Sequence, residues 1–133
     1  MWIRCGGDAT LNSYRPADSK RLKLSDIPDE HYEFLRSTCQ LYHETETHIF
    51  VHGGVATHLS MADQSEEDLL WKKLRNAHPH ESGKTVVCGH TAQASGWPLD
   101  AQHTICIDTW VYGDGWLTCL DVERLHFWQT KSS

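Results

Sequence analysis

Several features are missing from this sequence, and each absence closes a class of function. No window approaches the ~18 consecutive apolar residues of a membrane-spanning helix. The basic-then-apolar pattern of a secretory signal is also absent, so the chain reads as cytoplasmic with no membrane partner. Lys and Arg are scattered with no basic stripe, and the formal charge is −6 with a pI near 5.9. That balance argues against nucleic acid as a partner. The five cysteines, Cys5, Cys39, Cys88, Cys106 and Cys119, include no CxxC pair. An odd number without that spacing argues against a disulfide framework and a zinc ribbon; they read as reduced core thiols, small hydrophobes in effect. Internal repeats, low-complexity segments and linkers are lacking too, and 133 residues fit one domain, residues 1–133.

Histidine is plentiful, at ten residues, and two of the ten share a setting. Residues 49–55 read Ile-Phe-Val-His-Gly-Gly-Val. The β-branched and aromatic run is a buried strand, and the glycines let the backbone turn sharply at its end, so His52 is delivered at a strand's carboxyl end. Residues 85–91, Thr-Val-Val-Cys-Gly-His-Thr, repeat the design and deliver His90. Ligands of open α/β sheets bind outside the carboxyl ends of strands, which is where these two imidazoles can converge on a metal. Either one alone is more commonly a hydrogen-bonded loop histidine, and two imidazoles do not by themselves make a metal site. His78 and His80, in a polar loop over 76–83, read as surface residues.

In chain order, residues 2–5 read as the last turn of an amphipathic helix capped by Gly6-Gly7, so the sequence reads as starting inside an element. A short helix over 9–14 follows with Asp8 as its cap, then a polar loop over 15–25. The next helix opens at Pro28 with acidic residues in its first turn, ends near 37–38 and carries Tyr32, Phe34 and Leu35 on its apolar face. Residues 39–45 and 48–52 form a hairpin that turns at Glu46-Thr47. A polar loop over 56–65 leads to a helix with Ser65 as N-cap. Its apolar face is Leu69, Leu70, Trp71 and Leu74, and Lys72, Lys73 and Arg75 lie near its carboxyl end. After a loop over 92–102, strands over 103–108, 116–121 and 125–128 read as an antiparallel meander.

Five stretches, in order, resemble a known family. They are Gly6-Gly7-Asp8-Ala9-Thr10-Leu11 with Ser13-Tyr14; Ile49 through Gly54; Asp68-Leu69-Leu70-Trp71; Val87-Cys88-Gly89-His90-Thr91; and Ile107-Asp108-Thr109 with Gly115-Trp116-Leu117-Thr118. Together they resemble the carboxyl-terminal half of a calcineurin-like metallophosphoesterase, of the bacterial serine/threonine protein phosphatase branch. The resemblance implies an α/β fold, the carboxyl-terminal portion of a sandwich of two mixed β-sheets flanked by helices. It also implies two divalent metal ions (Mn, Fe or Zn) in the complete site, with His52 and His90 as ligands of the second. Neutral imidazole suits such borderline ions, and a metal pair activates water for in-line attack on a phosphate ester.

Two departures bear on this resemblance. Relatives commonly place a phosphate-contacting arginine two residues after the Leu-Leu-Trp tryptophan, where this chain has Lys73. Lys73 is thus either a phosphate contact, as a point charge in place of a bidentate fork, or a solvated lysine. The family's motifs GDxHG, GDxxDRG and GNHE occur nowhere, so the chain reads as a member truncated at its amino terminus, with no catalytic residue assigned within it and an incomplete metal site. The expected activity is phosphoserine/phosphothreonine hydrolysis once the other half is supplied. The alternatives are a symmetric dinucleoside tetraphosphatase, an assembly module that self-associates through exposed strand edges, and a fragment inert by itself.

Overall fold

The computed structural model of the chain describes residues 2–21 and 23–131. Met1, Ser132, Ser133 and, within the loop predicted over 15–25, Leu22 lie outside the described residues. The chain is mixed α/β and falls into two compact units, one up to Gln40 and one from Leu41 onward.

In the first unit a 3-10 turn, Trp2–Cys5, ends at Gly6, whose φ of 96° is the left-handed conformation glycine adopts without strain. α1 (Gly7–Tyr14) starts there, so Asp8 stands in its first turn and is not its cap. The Trp2 ring covers Gly7 so closely that a Cβ there would lie 2.6 Å from it. After a 3-10 turn at Leu24–Asp26, α2 (Asp29–Ser37) follows Pro28, with Asp29 and Glu30 complementing its dipole. α2 buries none of its residues, and the predicted apolar face holds Phe34 and Leu35 in the open. Leu11 of α1 is buried, and hydrogen bonds add to its packing: Tyr14 Oη lies 2.8 Å from His31 Nδ1, and Tyr32 Oη donates to Leu24 O.

The second unit holds a five-stranded mixed sheet in the order β1-β2-β3-β5-β4 and a separate two-stranded sheet, β6-β7. β1 (Tyr42–Glu44) and β2 (His48–Val51) form the predicted hairpin, with Thr45 Oγ1 accepting the His48 N–H inside the turn. β2 then pairs in parallel with β3 (Thr85–Cys88), and β3 in parallel with β5 (Thr104–Cys106). Burial along β3 and β5 is continuous and does not alternate, as expected of central parallel strands with cover on both faces. β4 (Leu99–Asp100) closes the sheet antiparallel to β5, inside the segment predicted as loop.

The three-strand meander predicted for the end of the chain does not form. The strand predicted over 103–108 is β5 of the five-stranded sheet, and only β6 (Leu117–Asp121) and β7 (His126–Thr130) make an antiparallel pair. Cys119 faces outward on β6 opposite Trp128, and Cys5 and Cys39 are exposed; the core holds two thiols, Cys88 and Cys106.

α3 (Glu66–Trp71) links β2 to β3, and the predicted cap is there: Ser65 Oγ accepts the Asp68 N–H at 3.1 Å. The helix stops earlier than its apolar pattern implies, because Lys72 is already extended, with ψ 119°. Leu69 alone of its residues is buried, and Trp71 is 65 % exposed. Leu74 still packs on the core, from beyond the helix. The loop before α3 is less polar than it reads: Ala56 and Met61 are buried, and Gln64 ties the loop down through both Ala56 backbone groups. His80, predicted at the surface, is 3 % exposed. The Ser82 N–H donates to its Nδ1, which leaves Nε2–H to donate to Leu59 O at 2.9 Å; those two bonds make a buried imidazole tolerable. Among the described residues no helix is long and apolar enough to cross a membrane.

One position holds β2 against α3. A Cβ on Gly53 would sit 2.9 Å from Leu70 C and Trp71 N and 3.0 Å from Asp68 O, all backbone atoms. Gly53→Ala is expected to destabilise the chain by about 1–3 kcal/mol, the usual cost of overpacking, as read by urea unfolding. An unchanged midpoint would show that the contact yields freely.

Candidate functional site

Three parallel strands deliver the site. The last carbonyls of a helix have accepting capacity to spare, and the short helix α3 offers two of them to the end of β2, Asp68 O while it also accepts the Lys72 N–H. Gly53 N–H donates to Leu69 O at 2.7 Å and Gly54 N–H to Asp68 O at 3.1 Å. His52, just before these glycines, is thereby fixed by its backbone. Its own carbonyl accepts the Gly89 N–H at 2.9 Å, which carries the β2–β3 pairing one step past the strands. The ends of β3 and β5 are joined likewise, Ile107 N–H donating to Cys88 O at 2.9 Å.

His90 sits at the centre of a three-residue turn closed by Thr91 N–H to Gly89 O at 2.5 Å, with φ at +58°. A non-glycine residue held in the left-handed region costs of order 1 kcal/mol and persists only where the surroundings over-determine it. Several contacts do so here. Thr91 Oγ1 accepts the Leu74 N–H at 2.8 Å, Gln93 Nε2 donates to Thr91 O at 2.6 Å, and the Cys106 thiol lies 3.4 Å from that same carbonyl.

The result is that the His52 and His90 rings meet, with centres 5.1 Å apart and planes at 59°. Two imidazoles bound to one tetrahedral ion through metal–nitrogen bonds of ~2.0–2.1 Å place their ring centres roughly 5 Å apart. The pair therefore fits a shared borderline metal as two of its ligands. Among the described residues no group of three or more His, Cys, Asp or Glu side chains converges to complete such a site. The indole of Trp71 packs edge-on against His90, at 5.6 Å and 84°.

Asp108, two residues beyond β5, is the third polar side chain at this edge of the sheet; its Oδ1 accepts the Trp110 N–H at 3.2 Å and its carbonyl the Gln93 N–H. Trp71, Thr91 and Asp108 stand within the sequence motifs and Cys106 among the core thiols, but sequence reasoning gives none of them a role at the site. Asp108 had a signal, since Ile107-Asp108 follows an apolar strand as His52 and His90 do.

Burial under the neighbouring groups pushes the His52 pKa below the ordinary 6.5, the nearby His90 pushes it the same way, and the Asp108 carboxylate partly opposes both. His52 is exposed at the rim, where solvent screens these interactions. The sign is definite: the unfolded chain takes up the proton first, so the His52 contribution is full above pH 6.5 and is lost as pH falls through that value. Beneath the site the paired thiols keep Cys88 far above the usual thiol range, through its hydrogen bond with Cys106 first and burial second.

Lys73 is exposed just past the end of α3. It lines a cavity of about 50 Å³ with Gly53, Gly54, Leu74, Asn76 and His78, and neither His52 nor His90 belongs to that lining. Lys72 is neutralised by Asp68 at 3.2 Å, whereas Lys73 makes no ion pair among the described residues.

No family model, curated protein or solved structure matches this chain.

The ring Cε1–H of His52, followed by NMR through a pH titration, should show a midpoint below 6.5. His90→Ala should move it up and Asp108→Asn move it further down. A wild-type midpoint at or above 6.5 would contradict the reading of the site as two facing imidazoles.

Proposed function

We propose that this chain is the carboxyl-terminal part of a metal-dependent phosphoric-ester hydrolase of the calcineurin-like metallophosphoesterase type, acting in the cytoplasm on phosphoserine or phosphothreonine. The observation that carries this reading is the meeting of His52 and His90 at the carboxyl ends of adjacent parallel strands, with ring centres 5.1 Å apart. In this reading the five-stranded sheet and the β6-β7 pair are parts of the two sheets of that sandwich. His52 and His90 hold one ion of the pair, and Lys73, free of a carboxylate partner among the described residues, offers its charge to the substrate phosphate. When bound, the metal pair polarises the phosphoryl oxygens and acidifies the attacking water. The remaining ligands belong to motifs that this sequence does not contain, so the chain is inactive by itself.

Joined to an amino-terminal half carrying GDxHG, GDxxDRG and GNHE, the chain should hydrolyse p-nitrophenyl phosphate and a phosphoserine peptide with manganese. His52→Ala and His90→Ala should each lower kcat about 100-fold, as several kcal/mol of charge stabilisation is lost. Lys73→Ala should act mainly on KM. Activity retained by His90→Ala would contradict the assignment, and preferential hydrolysis of a dinucleoside tetraphosphate would move the substrate to the symmetric dinucleoside tetraphosphatases.

A second reading, a non-catalytic module that self-associates, has its own support. A two-stranded pair is marginal alone, and β6-β7 presents Leu117, 58 % exposed, and Trp128, 56 % exposed, on one face. Light scattering separates the readings: a concentration-dependent dimer favours the module, and a monomer at high concentration counts against it.

A further inference from the structure

β3 and β5 each end in a cysteine, and the two are register partners: Cys88 lies beside Cys106 across the parallel ladder. Register partners point to one face of a sheet, and both thiols belong to the same buried cluster as Ile49, Val86 and Leu69. Adjacent strands run ~4.8 Å apart, inside the ~4.4–6.8 Å Cα separation that a disulfide spans. Cys88 also lines the cavity of about 50 Å³, which is edged by the exposed Lys73, Asn76 and His78. That cavity admits water-sized molecules, and hydrogen peroxide is little larger. The Cys106 Sγ lies 3.7 Å from Gly89 O and 3.4 Å from Thr91 O, one carbonyl on each side of His90.

We propose that Cys88 and Cys106 form a reversible cross-strand disulfide under peroxide, and that its closure resets the turn carrying His90. Cys106 Sγ, whose thiolate the Cys88 S–H stabilises by its hydrogen bond, attacks one peroxide oxygen, the O–O bond breaks, and the departing oxygen leaves as water with the thiol proton, giving a sulfenic acid. Cys88 Sγ then attacks that sulfur, the S–O bond breaks, a second water leaves, and the S–S bond joins the strands. Two thiols and one peroxide yield one disulfide and two waters; the sulfurs lose the two electrons that the peroxide oxygens gain. Cys106 thereby gives up the S–H it directs at the Gly89 and Thr91 carbonyls. The ~3.8 Å Cβ separation of a disulfide is shorter than the strand spacing, so closure draws β3 toward β5, and a strained bond of this kind is readily reduced. The device operates whatever reaction the site performs.

The test uses the full chain with the exposed Cys5, Cys39 and Cys119 changed to serine. Trypsin leaves Cys88 and Cys106 in one peptide, residues 85–124, since no Lys or Arg lies between Lys84 and Arg124. After peroxide, alkylation of the unfolded chain should fall from two thiols to none and the peptide should lose two hydrogen masses, both restored by dithiothreitol. The His90 ring resonance should shift on oxidation and return on reduction. With Cys88→Ser added, Cys106 should instead run on to sulfinic acid. Two thiols still alkylated after peroxide, Cys106 overoxidised while Cys88 stays free, or a His90 resonance unmoved by disulfide formation would each overturn the proposal. The peptide masses need no variant at Cys88 or Cys106, so a failure of Cys88→Ser to fold does not shelter it.

Discussion

The parallel registration of β2 against β3 is the constraint on which the site depends, because it sets the two histidines at equal height along neighbouring strands. His48 pairs with Thr85, Ile49 with Val86 and Phe50 with Val87, and the Gly89 N–H to His52 O bond carries the pairing past the strand ends. A slip of one residue would turn Ile49 and Val86 out of the core and separate the rings. Ile49, fully buried, and Val86, 2 % exposed, resist that slip through the apolar surface they would lose.

Backbone bonds do most of the positioning around this pairing. The carbonyls of Leu69 and Asp68 in α3 receive the Gly53 and Gly54 amides, and the closeness of that contact is why position 53 has no room for a side chain. Thr91, Gln93 and Cys106 brace the turn that keeps His90 at positive φ. A strained histidine held by three neighbours, facing a second histidine whose burial favours its neutral form, is suited to ligation, since metal binding requires deprotonated imidazole.

How much of this was legible in the sequence follows from how local each signal is. The strands ending at His52 and His90, the hairpin before the first, the Ser65 cap and the start of α2 were all readable, because each rests on neighbouring residues. Pairings set by distant parts of the chain were not. Thr104-Ile105-Cys106 carries no mark of parallel pairing to β3 beyond its unbroken apolarity, so a meander was the natural reading of three successive strands. His80 looked like a surface residue because its partner, Leu59 O, lies 21 residues away. Cys119 alternates with inward-facing Thr118 and Leu120, and only the register with Trp128 shows which face is open. The meeting of the two rings was an expectation from the repeated strand-Gly/His design, while the support given by Asp108 and Cys106 came from β5, a strand placed elsewhere by sequence reasoning.

The most direct test of the central claim, that His52 and His90 serve one ion together, is a zinc titration of the labelled chain watched at the imidazole nitrogens by NMR. The account predicts that both rings respond along one binding curve with a shared midpoint, ahead of the other histidines, and that His90→Ala removes the response of His52. Separate midpoints for the two rings, or a His52 response that survives His90→Ala, would contradict it.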